Sequence, residues 1–235
     1  MRRGLLLALG LCGSIIMIWQ LILSAEMILQ DDIVASVVHT AAEQQEMPLF
    51  PIAVTDTCLI AQYPVLYEGP YMEDGSNEYV VDVAAMVLFN TARTGLEEAR
   101  VVLRWDGGEY VFKAQMLPPR SAVMVLDQSR QKFAEHSWTD CFGMQKIGEG
   151  EWLKPQEVFW EEIDDTKIML RNETLNPMQN LRIYYKSYLA TDSLYLGGIT
   201  YCAGVEALNP GEQRTIRPYR YVKDYAKIVR ITYSN

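Results

Sequence analysis

Two stretches of the chain, VLFNTARTGLEEARVVLRW from Val87 and MLRNETLNPMQNLRIYYKS from Met169, write one pattern twice: apolar run, Asn, polar turn, alternating segment. Alternation with period two marks a strand that rests one face on a core, because successive side chains leave the pleated backbone on opposite sides. In the first copy Ala99, Val101, Leu103 and Trp105 share a face, and Arg100 and Arg104 take the other; in the second, Leu181, Ile183 and Tyr185 oppose Arg182, Tyr184 and Lys186. A shift of 82 residues superposes Asp82 on Asp164, Leu88 on Leu170, Asn90 on Asn172 and Arg100 on Arg182. The chain therefore carries one β unit twice.

The surrounding segments read the same way. EYVVDVAAMVLFN (78–90) is Val-rich, and Asp106-Gly107-Gly108 is a hairpin turn signal, since glycine takes positive φ without steric cost. EYVFKAQM returns from that turn, Leu117-Pro118-Pro119 breaks it, and SAVMVLD and TDCFGMQKIG supply further strands. In the second pass, IDDTKIMLRN, NLRIYYKS and AKIVRITY fill corresponding places, and Leu208-Asn209-Pro210-Gly211 answers Leu117-Pro118-Pro119 at a shift of 91. The additional nine residues fall in YLATDSLYLGGITY, which lengthens one hairpin. About seven short strands per half predict an all-β chain of two tandem β-sandwiches, 48–150 and 151–235. A single larger sandwich built from both halves is the alternative.

Strand, Asn, short polar turn, alternating strand and Leu-x-Pro before another strand together resemble the FxLYD-type and related immunoglobulin-like domains of bacterial envelope proteins. The matching residues are Asn90, Val101 and Leu117-Pro118-Pro119 in one copy, and Asn172, Ile183 and Leu208-Asn209-Pro210-Gly211 in the other. The family's aromatic-x-Leu-Tyr-Asp core is approximated only by Ile183-Tyr184-Tyr185, and the first copy lacks the Gly after its prolines. The resemblance implies immunoglobulin-like folds that serve as binding or spacer modules without a catalytic site.

Ahead of the repeat, Met1-Arg2-Arg3 precedes GLLLALGLCGSIIMIWQLILSA (4–25), an uncharged run with Gln20 as its one strongly polar residue. A helix rising about 1.5 Å per residue crosses a hydrocarbon core of roughly 30 Å with a run of this length. Arg2 and Arg3 before it, with Glu26, Asp31 and Asp32 after it, place the N-terminus in the cytoplasm and the remainder outside. The prediction is a single-pass membrane anchor over 1–26. A cleaved signal peptide is the alternative, although the run exceeds the usual apolar region of about 7 to 15 residues. From 27 to 47 a helical pattern continues, with Met27, Val34 and Ala41 seven residues apart, until Pro48 and Pro51 end it. Such a helix is either a stalk capable of self-association or a helix lying on the following domain.

Past the anchor, 19 Lys and Arg face 29 Asp and Glu, an acidic balance that argues against nucleic acid and anionic membrane surfaces as partners. Cys58, Cys141 and Cys202 show no CxxC spacing, which argues against zinc and allows at most one intramolecular disulfide, with Cys58 and Cys141 as the candidate pair. Buried free thiols are the simpler expectation. The two histidines, His39 and His136, adjoin no hydrolase or protease signature, and Cys141 five residues from His136 lacks flanking support. Carboxylates come as neighbours, Glu97-Glu98, Glu161-Glu162 and Asp164-Asp165; adjacent strand residues point to opposite faces, so these pairs do not converge by themselves. The oxygen-rich 73–78 segment lacks the alternating order of a calcium loop. Asn172-Glu173-Thr174 fits a glycosylation acceptor, yet Asn90 recurs in its place without the Thr, which favours a turn-forming role.

These readings lead to a non-catalytic, membrane-anchored, extracytoplasmic binding or scaffold protein without cofactor or metal, whose partner is a protein of the envelope. A membrane-tethered cell-wall or glycan hydrolase is the competing class. The candidate partner-contact residues are Tyr219, Arg220, Tyr221, Lys223 and Tyr225 of PYRYVKDY, where flat rings and cations alternate.

Overall fold

The computed structural model of the protein describes residues 50–76 and 78–234. The anchor expected over 1–26 and the stalk expected over 27–47 lie outside them. No helix among the described residues is long and apolar enough to cross a membrane. The first half contributes β1 (Ile52–Ala53), β2 (Leu59–Ala61), β3 (Val65–Pro70), β4 (Tyr79–Asn90), β5 (Leu96–Trp105), β6 (Gly108–Leu117), β7 (Ala122–Leu126) and β8 (Trp138–Ile147). The second contributes β9 (Val158–Asp164), β10 (Lys167–Asn172), β11 (Met178–Leu189), a 3-10 turn (Ala190–Asp192), β12 (Leu194–Leu208), β13 (Gln213–Ile216) and β14 (Ala226–Ser234). The described residues are thus all-β, and the alternating segments read from sequence coincide with β5 and β11.

The duplication is visible in the strand pairing. β4 pairs with β7, and β5 with β6 and β8; in the second half β10 pairs with β13, and β11 with β12 and β14. Asn90 and Asn172 sit at the ends of β4 and β10 and are fully buried. Asn90 Nδ2 donates to Thr94 O (2.9 Å) and Pro118 O (3.0 Å), while its Oδ1 accepts from the Ala92 N–H (3.0 Å). Asn172 Nδ2 donates to Asn176 O (2.8 Å) and Leu208 O (2.9 Å), and its Oδ1 accepts from the Thr174 N–H (2.8 Å). Each Asn ties a strand end to its own turn and to the end of the following hairpin. With its amide committed and buried, Asn172 presents no acceptor for a glycan in the folded state.

The halves are not beads on a string, because strands of both enter one central sheet. Its order is β1-β2-β4-β7-β12-β11-β14, with β3 also paired to β4, and it is flanked by β6-β5-β8 and β13-β10-β9. The splice is the parallel pairing of β7 with β12, where Leu194, Tyr195 and Leu196 meet Ala122, Val123 and Met124. These three β12 residues belong to the nine-residue excess of the second copy. A first core, with Met86, Leu88, Leu103, Phe112 and Val125, fills the space towards β6-β5-β8; a second, with Ile168, Leu170, Ile183, Tyr185 and Ile231, fills the space towards β13-β10-β9. Because Ile183 and Tyr185 face the second core while Tyr184 and Tyr188 pack on the first, the two cores lie on opposite faces of the central sheet. A register shift in β14 between its pairings with Tyr184 and Tyr185 leaves Val229 unpaired and aims it into the first core, as a bulge does.

Two buried ionisable side chains, Lys186 and Glu73, pin the splice through backbone groups. Opposite Lys186, β12 bulges through 197–200, and the Lys186 Nζ donates to Gly198 O (3.2 Å), Ile199 O (2.7 Å), Thr200 Oγ1 (3.3 Å) and Gln115 O of β6 (3.0 Å). Glu73 reaches in from the β3–β4 turn and accepts from the N–H groups of Leu126 (2.8 Å) and Gly198 (2.6 Å). A Cβ at Gly198 would overlap the Lys113 carbonyl, and Gly197 holds φ at +77°, so the bulge requires both glycines. Burial pushes the Glu73 carboxyl up to about 7, opposed by those two N–H groups and Lys186. Burial likewise pushes the Lys186 ammonium down to about 7, opposed by Glu73, and the four acceptors around Nζ favour its protonated form.

Candidate functional site

β9 is the edge of its three-stranded sheet, and β14 is an edge of the central sheet. Both edges open on the same cleft of about 370 Å³, lined by Leu153, Trp160, Glu162, Tyr221, Ala226, Lys227 and Ile228. That volume falls at the small end of the roughly 300 to 1,000 Å³ typical of ligand pockets. Leu153, Trp160, Ala226 and Ile228 supply apolar walls, the ring of Tyr221 closes the inner side, and Glu162 and Lys227 supply opposite charges.

The first half provides an internal reference for this place. There, the ends of β5 and β8 pair Trp105 with Trp138, and 82 residues on from Trp105 the ends of β11 and β14 pair Ser187 with Ala226. Trp105 and Trp138 meet edge to face at 5.9 Å, and His136 stacks on Trp105 at 4.3 Å with the planes 5° apart. Tyr110 lies 6.0 Å and Tyr63 6.4 Å from the Trp138 ring, and Phe50 meets Tyr63 at 5.3 Å. Rings thus plug this end of the first core, while a hydroxymethyl and a methyl stand at the same register in the second. The two units share a strand pattern, and their side chains decide which one is open.

The 217–225 connection between β13 and β14 braces the cleft. Tyr185 Oη donates to Tyr219 O (2.5 Å), the Lys223 N–H to Asp165 O (2.8 Å), and the Tyr188 N–H to Tyr225 O (2.9 Å). Tyr221 Oη donates to Glu162 Oε1 (2.5 Å); burial first, and then that carboxylate, drives the phenol's pKa well above its ordinary value. Lys227 Nζ rests 4.6 Å from the centre of the Tyr188 ring.

Of the five predicted contact residues, Tyr219 and Tyr225 are 68% and 66% exposed, and Lys223 is half-buried. Arg220 Nε donates to Tyr219 Oη (3.0 Å), so these two form a single surface feature. Tyr221 instead belongs to the second core and walls the cleft. Leu153, Ala226, Lys227 and Ile228 also line the cleft, and nothing in their local sequence marks them as a site. The signal was available only by setting Ser187 and Ala226 against Trp105 and Trp138.

The other candidates resolve into structure. Glu97 is engaged by Lys146 (2.6 Å) and Arg230 (3.0 Å), Glu98 by Lys113 (2.9 Å), and Asp164 by Lys167 (2.7 Å). In the 73–78 segment Glu73 is spent on the splice, while Arg130 engages both Asp74 and Glu78. Among the described residues no three His, Cys, Asp or Glu side chains gather as for a metal ion. Cys58, Cys141 and Cys202 are free thiols, so the candidate Cys58–Cys141 bridge is not formed. Cys58 Sγ donates instead to Gln145 Oε1 (3.0 Å), and Cys202, expected among buried thiols, is exposed. Burial pushes the Cys141 thiol up to about 11, which keeps it protonated at neutral pH, while His136 is taken up by the Trp105 stack.

No protein-family profile matches the chain, and comparison with curated proteins finds no relative.

Proposed function

We propose that the protein is a non-catalytic, membrane-anchored extracytoplasmic binding or scaffold protein of a bacterial envelope, built from two immunoglobulin-like sandwich units fused through a shared sheet. It captures a protein partner at the open side of the second unit. The observation that carries this reading is the β9–β14 cleft, open at the register where the first unit packs Trp105 against Trp138. Two free strand edges beside an apolar pocket suit an extended peptide, whose backbone pairs with an edge while alternate side chains enter the pocket. The splice at β7 and β12 makes the two units a rigid presenting platform, and the uncharged run over 4–25 supplies the anchor.

The test compares the full chain with its Ala226→Trp variant as baits for envelope proteins extracted from the source cell. A partner retained by the wild type and released by the variant supports the proposal. Equal retention by both baits, or none by either, refutes it.

A further inference from the structure

The β3–β4 hairpin carries an apolar strip on one face, away from the cleft. Leu66 pairs with Ala84 and Pro70 with Tyr79, so Leu66, Tyr79 and Val81 share a face, with Asp82 at φ +59° as the additional residue of a bulge. On that face Ala84, Met86 and Leu88 of the same strand are buried in the first core. The cover stops at Ala84: Val81 is 51%, Leu66 53% and Tyr79 63% exposed. Tyr63, also exposed, packs its ring on Phe50 at 5.3 Å, at the point where the described chain begins.

Pro64 and Pro70 bracket β3, so a partner meets its side chains rather than a long free backbone edge. Charge on the strip is scarce, since Asp82 engages Lys132 (4.0 Å) and Glu68 accepts from Tyr79 Oη (2.8 Å). Exposed apolar surface of this kind marks an interaction site.

The chain that enters beside the strip says what covers it. Leu23, Met27, Gln30, Val34, Val37, Ala41 and Gln44 recur at alternating spacings of four and three, the pattern by which two helices pair. Two copies held by the uncharged run over 4–25 leave the membrane in the same direction, so that pairing is parallel. Two of the seam residues are Gln, which weakens the seam and leaves it in need of a second contact. From Met47 to Phe50 the chain advances at most about 10 Å, so paired segments deliver the two bodies side by side at Phe50 and Tyr63. Elsewhere like bodies repel, each with 19 Lys and Arg against 29 Asp and Glu past the anchor.

We propose that two copies of this chain pair through the Leu66, Tyr79 and Val81 face, about a two-fold axis along the membrane normal, with their 23–44 repeats side by side. A two-fold contact needs a surface that suits itself, and a charge-poor apolar strip does. The dimer rests on the anchor of the proposed function, is independent of the cleft, and presents two clefts on one side of the membrane.

The test measures the mass of the full chain in a mild detergent by light scattering, and its dissociation constant by sedimentation equilibrium. The expected result is a dimer that Leu66→Arg and Val81→Arg each weaken at least about tenfold. Both side chains are exposed, so the unfolding midpoint stays in place; Tyr79→Arg substitutes for a variant whose midpoint falls. Leu175→Arg, at a 94% exposed position on the β10–β11 turn, leaves the dimer unchanged. A dimer that the folded face variants leave intact is held by the repeat alone and overturns the face. Equal weakening by Leu175→Arg overturns it as well. A purified chain whose intact mass lacks 1–25 overturns the anchor, whereas a monomer that retains it overturns the dimer alone.

Discussion

Replacing Lys186 by Met tests whether the splice depends on the hydrogen bonds of its buried ammonium. Methionine fills the space of the Lys stem but takes away the donor to Gln115 O, Gly198 O and Ile199 O, and removes the positive charge that lowers the Glu73 pKa. A buried acceptor left unpaired costs about 1 to 3 kcal/mol, so taking the ammonium from these carbonyls and from the neighbourhood of Glu73 should cost about 3 to 5 kcal/mol in all. At about 2 to 4 °C per kcal/mol for a body of this size, the midpoint of thermal unfolding should fall by roughly 6 to 20 °C. The loss depends on pH. The folded-state pKa of Glu73 is raised to about 7 from its ordinary 4.5, and without Lys186, which lowers it, it rises further. A raised acid pKa means that the folded state holds the additional proton, so its stability is full below pH 4.5 and falls as pH rises through the folded value. The deficit of Lys186→Met should therefore be smaller at pH 5 than at pH 8. Glu73→Gln combined with Lys186→Met removes the stranded charge and should recover part of the loss, a coupling of about 0.5 to 3 kcal/mol. Urea unfolding of the full chain at both pH values measures all of these quantities. A loss under about 1 kcal/mol, an equal loss at both pH values, or simple additivity in the double variant would refute the reasoning.

The two turn asparagines give a matched pair. Asn90→Ala and Asn172→Ala each strand buried carbonyl and N–H groups and should each cost about 2 to 4 kcal/mol, additively since they share no partner. A cost confined to one of them, by urea unfolding, would break the structural equivalence of the two units. Iodoacetamide at pH 8 followed by peptide mass mapping should label exposed Cys202 first and Cys141 only on unfolding, because burial holds the Cys141 thiol near 11. Prompt labelling of Cys141 in the folded protein would contradict that burial. Residues 48–150 expressed alone lose Tyr195 and Val229 from their core and bare the β7 edge, so they should lack a cooperative unfolding transition. A sharp transition for that fragment would show that the first core closes without the second half.

Much of the fold was legible because strand alternation is a local property. Leu181, Ile183 and Tyr185 are buried in the second core as their spacing requires, and the recurrence of Asn at 90 and 172 identified a turn whose hydrogen bonds are the same in both copies. The short β1 and β2 left no such trace, since two or three residues are too few to show a period. The candidate site was legible only in part. PYRYVKDY supplies Tyr221 to the cleft wall, but alternation of Tyr with basic residues does not say which ring turns inward, and Tyr221 does.

What the sequence by itself determined is the all-β character of the described residues, the duplicated unit and the location of the nine residues by which the copies differ. Those follow from side-chain periodicity and turn chemistry, which act over a few neighbours. Only the tertiary structure decided that the nine residues splice the copies into one sheet, that Lys186 and Glu73 both bond Gly198 beside it, and that the second unit stays open where the first is plugged. Each depends on groups brought together from distant parts of the chain, Glu73 with Gly198 and Trp160 with Ala226, and no local pattern records such a meeting.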